Sequence, residues 1–185
     1  MKKLSLVAAL VASVSCANTF ADTGPFIEAN LGYSGTGSAN INQDSKNFNL
    51  DDSSHFGWNV NAGVMFLGIG AELGYTRYGD IKYKEGNQET PTDIYSTHIA
   101  LRATPSIFGP LYLLGKIGYA QLHQGDFSTD TVHVGGKNAD GLLWGVGVGL
   151  KFFPFLYTQL QYQQVQGQNN LPTMNITTLG VGFSF

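Results

Sequence analysis

The sequence predicts an all-β protein, an eight-stranded antiparallel up-and-down barrel, from three observations. Apolar residues recur at every second position in eight separate stretches, which is typical of strands with two different faces. The connectors between these stretches alternate between short and long. Glycine is abundant, at 24 residues, while charged residues make up only 12% of the 185-residue chain. Such low charge without high hydropathy is unusual for a soluble globular protein.

The N-terminal segment, residues 1–21, resembles a secretory signal peptide. Two lysines precede a short apolar run, and the segment ends in a small-x-small site at Ala21. The run is too short to cross a bilayer as a helix, which takes about 20 apolar residues. We expect cleavage after Ala21, with Ala17 as the second choice, which leaves one domain at 22–185. The only cysteine lies in the removed segment, so the mature chain is predicted to have no disulfide.

Eight predicted strands follow along the mature chain. In the second, HFGWNVNAGVMF, aromatic and aliphatic residues alternate with His, Gly and Asn, and in the sixth, LLWGVGVGLKF, they alternate mainly with Gly. Helical 3.6-residue spacing is not sustained anywhere. The predicted strands span 25–34, 55–66, 69–78, 95–104, 111–121, 142–152, 156–164 and 177–185.

The connector lengths predict the topology. Three short turns at one end and four long polar loops at the other describe an up-and-down barrel with both termini at the short-turn end. Transmembrane barrels have this asymmetry, and strands of about 9–11 residues suffice to cross the bilayer. The short connectors are 67–68, 105–110 and 153–154, and the long ones are 35–53, 79–93, 123–140 and 165–173.

The two strand faces predict which side meets lipid. One face is apolar, whereas the other carries charged and amide side chains. An interior of eight strands is only wide enough to be filled by side chains. A polar, packed inside and an apolar outside suit lipid as the solvent, because a closed barrel leaves no backbone edge unpaired. We expect the many inner glycines to make room for long side chains from facing strands.

Aromatic residues are predicted to form two belts on the apolar face. One set lies towards the long-loop ends of the strands and the other towards the short-turn ends, which is typical of the girdles at two membrane interfaces. The first set is Tyr33, Trp58, Tyr75, Tyr95, Tyr119, Trp144 and Tyr162, and the second is Phe66, Phe108, Phe152, Phe155, Phe183 and Phe185.

The start TGPFIEANLGYS and the close LGVGFSF resemble the small eight-stranded outer-membrane barrels of Gram-negative bacteria. That family includes the OmpA transmembrane domain, OmpX/Ail-type proteins and opacity-type surface antigens. The resemblance implies export to the outer membrane and an assembly signal in the last strand, read by the assembly machinery. The residues that match this signal are Leu179, Val181, Phe183 and Phe185. Because the sequence stops at the predicted barrel, we expect no counterpart of the peptidoglycan-binding domain of OmpA.

The charged residues of the inner face are the closest approach to a chemical site. Buried charges are costly unless they are paired, so we expect a salt-bridged network across the lumen. Such a network would be a plug that holds the strands in register or a gate that opens a narrow ion path. The predicted members are Glu28, Glu72, His98, Arg102, Lys116 and Lys151.

Catalysis is not expected. Ser96 and His98 share a face, but alternate residues of a strand lie roughly 6.5–7 Å apart, beyond hydrogen-bond reach. The remaining histidines are scattered and lack the spacing of metal ligands. We therefore expect no enzyme activity, no cofactor and no metal.

The long loops are the candidates for binding, because loops on a rigid scaffold commonly carry function. The stretch FSTDTVHV within 123–140 alternates, so a hairpin with an exposed edge could bind partners by strand addition there. We expect a structural or adhesin-like surface role through loops 35–53, 79–93 and 123–140, and the alternative is a narrow channel for ions or small solutes. The expected partners are outer-membrane lipid, lipopolysaccharide and the assembly machinery, with no nucleic acid, and the protein is expected to be a monomer.

Overall fold

The computed structural model describes residues 23–36, 55–85, 88–124, 127–129, 132–134, 138–166 and 173–185. The predicted signal peptide at 1–21 lies outside these residues, as does nearly all of the predicted loop at 35–53. Among the described residues, no helix is long and apolar enough to span a bilayer. The strands are β1 Gly24–Thr36, β2 His55–Phe66, β3 Ile69–Glu85, β4 Gln88–Ala103, β5 Ser106–Phe108, β6 Leu111–Gln124, β7 Phe127–Thr129, β8 Val132–Val134, β9 Asn138–Phe153, β10 Leu156–Val165 and β11 Met174–Ser184.

Eight of these strands close into an antiparallel barrel, which confirms the predicted fold class. The order around the barrel is β1-β2-β3-β4-β6-β9-β10-β11, and β11 pairs back onto β1 from Phe26↔Ser184 to Thr36↔Met174. The short β5 pairs with β6 at the turn that follows β4, and β7 pairs with β8 in a separate hairpin. Closure leaves no open edge along the spanning part of the sheet, as lipid requires.

The strand register gives the barrel its stagger. From Asn30, the paired residues lead through Asn59, Thr76 and Ser96 to Leu122 on β6. In the other direction they lead through Gly180, Gln159 and Gly149 to Tyr112 on the same strand, ten residues away. A stagger of this size tilts the strands steeply relative to the barrel axis.

Alternation assigns the two faces of each strand. Leu31, Leu73 and Leu101 point outward and are 58%, 64% and 63% exposed. In a membrane these outward side chains contact lipid. Their neighbours in sequence point inward, where Asn30, Glu72 and Arg102 are buried. At this height of the barrel, polar residues therefore fill the interior and apolar residues form the outer surface.

Inner glycines accept the large side chains of adjacent, paired strands. A Cβ on Gly182 would overlap the ring of Tyr157, and one on Gly149 would overlap the ring of Tyr112. Each tyrosine is the register partner of its glycine. The predicted room for long side chains is present, and at these two glycines the side chain comes from the adjacent paired strand.

The predicted loop at 79–93 is wrong. β3 and β4 continue as a paired hairpin from Asp80↔Asp93 to Glu85↔Gln88, which we call the β3–β4 ribbon (residues 80–85 and 88–93). The stretch resembles a loop in sequence because it is polar and carries charges of both signs. The predicted loop at 123–140 is also partly strand, since β6 extends to Gln124, β9 begins at Asn138, and β7 and β8 form the expected hairpin between them.

Candidate functional site: the layered lumen

The lumen is filled by four layers of side chains, and β10 shows their order. From the short-turn end to the loop end, its inward residues are Tyr157, Gln159, Gln161, Gln163 and Val165, all buried. We name the layers the floor layer, the charged layer, the amide layer and the apolar layer. The register of the other seven strands places their inward residues in the same sequence of layers.

The floor layer closes the short-turn end with rings and aliphatic side chains. The Tyr112 and Tyr157 rings meet edge to face at 6.1 Å between centroids. The Arg102 guanidinium carbon lies 4.7 Å above the Phe26 ring, a cation–π contact that ties this layer to the charges above. The members of the floor layer are Phe26, Met65, Tyr112, Leu114 and Tyr157.

Arg102 is the centre of the charged layer. Its Nη1 donates to Glu28 Oε2 at 2.7 Å and to Glu72 Oε2 at 2.9 Å, and its Nη2 donates to Gln159 Oε1 at 2.9 Å. Tyr157 donates its hydroxyl to Glu28 Oε2 at 3.0 Å. Arg102 from β4 thus contacts β1, β3 and β10 across the lumen.

Glu72 contacts the remaining ionisable side chains of the charged layer. Its Oε1 accepts a hydrogen bond from Lys116 Nζ at 2.9 Å and lies 3.1 Å from His98 Nε2. The side chains of Glu72, Lys116 and His98 are fully buried. Because buried charges are stable only when paired and hydrogen-bonded, this density of contacts is what an ionic plug requires.

The structure brings together five of the six residues that the sequence nominated for the lumen network. Glu28, Glu72, His98, Arg102 and Lys116 form one connected cluster. Lys151 lies apart from it, with Nζ 5.5 Å from the centre of the Tyr112 ring. Lys151 lies near the end of β9 at the short-turn side, in register with the inward Tyr157.

The amide layer lies above the charges. Asn30 Nδ2 donates to Asn59 Oδ1 at 2.6 Å, and Asn61 Nδ2 donates to Glu28 Oε1 at 2.7 Å, which links the two layers. Gln163 Nε2 donates to Thr76 Oγ1 at 3.3 Å on the side towards the loops. The layer consists of Asn30, Asn59, Asn61, Gln161, Gln163 and Thr178.

The apolar layer closes the loop end, and the sequence interpretation missed it. Its residues point inward although they are apolar, so near the loop ends both strand faces are apolar. The pair Leu142–Leu143 signals this, because only Leu143 is buried while Leu142 is 44% exposed. The layer comprises Tyr78, Ile94, Leu122, Leu143, Val165, Met174 and Ile176, and the buried Ala100 and Ala120, which lie in register with Glu72 and His98, extend the same apolar cluster towards the charged layer.

Ser96 and His98, the pair considered for catalysis, make separate contacts. The Ser96 hydroxyl lies 3.3 Å from the Tyr78 hydroxyl, while His98 bonds to Glu72, so the two residues belong to different contacts. Within the described ranges, no group of three or more His, Cys, Asp or Glu side chains could hold a metal ion. What the arrangement does is bind the strands to one another.

The outer surface carries both predicted aromatic belts. At the loop end, Tyr75 stacks on Tyr95 with 5.6 Å between ring centroids, and Tyr95 stacks on His123 at 4.9 Å. At the short-turn end, Phe66 and Phe108 are 69% and 83% exposed. Amphipathic rings and bare phenyl rings in two separate belts are typical of the two interfaces of a bilayer.

A closed barrel with an apolar exterior, two aromatic belts and a packed polar interior defines the small transmembrane β-barrels. This chain belongs to the family described as the outer membrane protein beta-barrel domain, which matches it over residues 5–185. That membership confirms the family resemblance seen in the sequence. No curated protein matches the chain.

Solved structures of the same fold cover almost the whole chain. The crystal structure of Neisserial surface protein A (NspA) is similar at a TM-score of 0.66 and 15% identity, over 88% of this chain and 98% of that one. Ail, the attachment invasion locus protein of Yersinia pestis, is similar at 0.61 and 15%, over 89% and 99%. The N-terminal barrel domain of Pseudomonas aeruginosa OprF is similar at 0.56 and 12%, over 89% and 99%. At such identities the likeness concerns the fold.

Proposed function

We propose that this protein is a non-catalytic outer-membrane scaffold that acts at the cell surface, through the β3–β4 ribbon, while its lumen stays closed. The observation that carries the proposal is the contrast between the filled lumen and the extended ribbon. The short-turn end then faces the periplasm and the loop end faces the outside, as in other bacterial barrels.

The filling of the lumen argues against a resting pore. Glu72, Thr76, Ser96 and Gln163 are completely buried although they point into the barrel. An ion would have to displace the ion pairs of the charged layer and then the aliphatic side chains of the apolar layer. Each of these steps carries a large desolvation cost, because neither layer offers the ion a substitute for its hydration.

The ribbon supports the surface role. Among the described residues, β2 pairs with β3 only as far as Trp58↔Arg77, and β6 pairs with β4 only as far as Ile94↔Gln124. Beyond these pairs, residues 80–85 and 88–92 pair with each other, and within the described ranges no other strand pairs with their outer edges. Unpaired edges accept an extended peptide by strand addition.

The charge of the ribbon favours a protein partner over a polyanion. Its sequence, DIKYKEGNQETPTD, has four acidic and two basic residues. Ail has been crystallised with the heparin analogue sucrose octasulfate. A ribbon of net negative charge would repel such a sulfated ligand, so we propose an extended segment of a surface protein instead.

The first experiment is a conductance recording. The mature chain is refolded in detergent, inserted into planar bilayers and compared with Glu72→Ala. We expect silence from the wild type. Discrete wild-type steps that Glu72→Ala alters would replace this proposal with the alternative, a narrow channel gated by the lumen ion pairs.

The second experiment removes the ribbon. Residues 80–93 are replaced by Asn-Gly, which joins Gly79 to Ile94 through a two-residue hairpin turn. We expect bacteria that display this variant to lose attachment to epithelial monolayers, whereas deletion of the β7–β8 hairpin (127–134) leaves attachment intact. If bacteria with the ribbon removed still attach, the ribbon does not mediate attachment and the proposed surface role of the ribbon is wrong.

Export and assembly complete the proposal. We propose that residues 1–21 direct secretion and that the last strand is read by the assembly machinery. The four residues nominated for this signal all point outward on or beside β11, where Leu179, Val181, Phe183 and Phe185 are 62%, 49%, 44% and 76% exposed. In the membrane the barrel then contacts phospholipid and lipopolysaccharide, as a monomer.

Deletion of Phe185 tests the assembly signal. We expect a lower amount of protein in the outer membrane at native expression, because the terminal ring is removed while the lumen layers are untouched. The measurement is quantitative blotting of outer-membrane fractions, with detergent refolding as the control for intrinsic stability. Unchanged outer-membrane levels would remove the assembly role from Phe185.

A further inference from the structure

The three short turns of the barrel carry large apolar side chains at their tips. Turns that project into water are usually built from Gly, Pro, Asn, Asp and Ser. Here the sequence has no charged residue in 63–71, 103–115 or 152–185, the ranges that contain the turns. The exposed side chains in and beside the turns are Phe66, Leu67, Ile107, Phe108, Phe153 and Phe155.

The outward rings differ in kind between the two ends of the barrel. Tyr and Trp favour a membrane interface, because one part of the ring system is apolar and the other hydrogen-bonds to water. The loop-end belt is of this kind, with Trp58, Tyr75 and Tyr95 in contact. At the short-turn end, Tyr112 and Tyr157 point into the lumen, and the described outward rings are phenyl groups. Phenyl rings have no polar atom that needs water, so this end favours a deeper position in the bilayer.

The wall below the loop-end belt is short. It spans seven residues on β3, from Tyr75 to Gly68, and ten on β4, from Tyr95 to Pro105. A rise of about 3.4 Å per residue and a tilt of about 45° give about 2.4 Å of height per residue, so the wall is about 17–24 Å high. The apolar band of transmembrane barrels is about 25 Å tall. With the loop-end belt at one interface, the short turns therefore do not reach past the hydrocarbon at the other.

The backbone of the turns is hydrogen-bonded within the protein, as a lipid environment requires. In each turn a carbonyl oxygen accepts a bond from a backbone N–H at the end of a neighbouring strand. The pairs are Thr104 N to Gly68 O at 2.7 Å, Lys151 N to Pro110 O at 2.9 Å and Ser184 N to Phe155 O at 3.0 Å. The Leu67 N–H donates to Thr23 Oγ1 at 3.2 Å. These bonds lower the cost of removing the turns from water.

We propose that the tips of the three short turns are a phospholipid-binding surface, inserted among the acyl chains of the periplasmic leaflet close to its headgroups. The surface continues the lipid-facing wall, since Leu67 directly follows Phe66, and the Phe153 and Phe155 rings stack at 5.6 Å between centroids. The C-terminal carboxylate of Phe185 limits the depth, because a charge must reach the headgroups. The proposal uses the orientation of the barrel but not the proposed role of the ribbon.

The distribution of the tips favours lipid over a protein partner. The turns join β2 to β3, β4 to β6 and β9 to β10, so they lie at three separate places around the circumference. A fluid leaflet contacts all three tips at once, whereas a protein would have to span the mouth of the barrel. Protein partners are typically bound by contiguous apolar patches instead.

The experiment measures the depth of one tip by tryptophan fluorescence. The mature chain with Trp58→Phe and Trp144→Phe receives Phe108→Trp as its single reporter and is refolded into phosphatidylcholine vesicles. We expect lipid brominated near the headgroup end of the acyl chain to quench this reporter several-fold, and more strongly than lipid brominated at mid-chain. Ile99→Trp in the same background is the matched control, because Ile99 is 56% exposed on the lipid-facing wall, halfway between Tyr95 and Ala103. It should show the opposite order.

Quenching by acrylamide from the aqueous phase distinguishes the other occupants. We expect its rate for the Phe108→Trp reporter to be several-fold lower than for N-acetyltryptophanamide in solution. Free access for acrylamide with little quenching by brominated lipid would place the tip in water and overturn the proposal. Protection from both quenchers would overturn it as well, since the tip would then be covered by protein, such as a second copy of the chain.

A second reporter tests whether the turns form one surface. Phe155→Trp replaces the ring at the third turn, and we expect the same order of quenching as for Phe108→Trp. Retained compactness in unboiled detergent gels checks that each variant has folded. Lipid quenching at residue 108 together with free acrylamide access at residue 155 would overturn a common lipid-binding surface.

Discussion

Below the height of Asn30 the lumen is closed by ion pairs, whereas near the loop end it is closed by aliphatic side chains. The two regions lie in one barrel, on the same strands, a few residues apart. In the lower region every contact joins particular atoms, such as Arg102 Nη1 and Glu28 Oε2 at 2.7 Å. In the upper region Leu143 and Ile176 contact their neighbours without directional preference.

This difference assigns the two regions different parts in specifying the fold. A strand that slips by two residues keeps the same set of residues facing the lumen, so aliphatic contacts alone tolerate a wrong register. Such a slip would separate Glu28 from Arg102, 74 residues away in the chain, and from Tyr157, 129 residues away. We infer that the charged layer specifies strand pairing and that the apolar layer supplies non-directional burial and a seal.

We expect the largest loss of stability from Glu72→Ala, which removes a carboxylate from the ion pairs of the lower region. It leaves Lys116 and Arg102 with unmatched buried charge, and removal of one partner of a buried ion pair typically costs about 3–5 kcal/mol. We expect a loss of that size in the free energy of unfolding, measured by urea titration in lipid vesicles through tryptophan fluorescence.

The matched control for Glu72→Ala is Asp140→Asn, at an exposed position on β9. A change within about 0.5 kcal/mol is expected there, as for most surface substitutions. Equal urea midpoints for Glu72→Ala and wild type would show that the ion pairs do not stabilise the barrel.

The upper region is tested by Leu143→Ala against Leu142→Ala. Truncation of a buried leucine costs about 2–5 kcal/mol, through lost burial and the cavity left behind. Leu143 is 0% exposed within the lumen, whereas Leu142 is 44% exposed towards lipid. We expect the first variant to unfold at clearly lower urea than the second. If the order were reversed, packing against lipid would outweigh packing inside the lumen.

The same comparison shows what could be predicted from the sequence. Strict alternation and connector lengths predicted eight strands, the two faces and the aromatic belts, because these depend only on local periodicity. The polar inner residues were also identifiable, but the contacts of Arg102 with Glu28 and Glu72 depend on the stagger between strands that are far apart in sequence. The apolar layer and the β3–β4 ribbon were missed, because Leu143 and residues 80–93 depart from the alternation of buried polar and lipid-facing apolar residues.

A smaller effect is expected when the packing of the floor layer is disturbed. A Cβ on Gly182 would overlap the Tyr157 ring, which its bond to Glu28 holds in place. Overpacking of this kind costs about 1–3 kcal/mol. Gly115→Ala is the control, since a Cβ there meets nothing within 4 Å. We expect the unfolding midpoint to fall for Gly182→Ala only, and equal midpoints would mean that the Tyr157 ring can move without loss.

The smallest expected effect is the difference in stability between losing a hydrogen bond to a charged group and losing one to a neutral group in the lower region. Tyr157 donates to the Glu28 carboxylate at 3.0 Å, whereas Tyr112 donates to the Gln159 amide oxygen at 3.2 Å. Hydrogen bonds to charged groups contribute about 1.5–3 kcal/mol, and neutral ones about 0.5–1.5 kcal/mol. We therefore expect Tyr157→Phe to destabilise more than Tyr112→Phe in the same urea titration, although each variant loses a single oxygen and keeps its ring. If the two losses were equal, the charge of Glu28 would be neutralised by Arg102 alone, and the Tyr157 hydroxyl would act only as an ordinary polar contact of the floor.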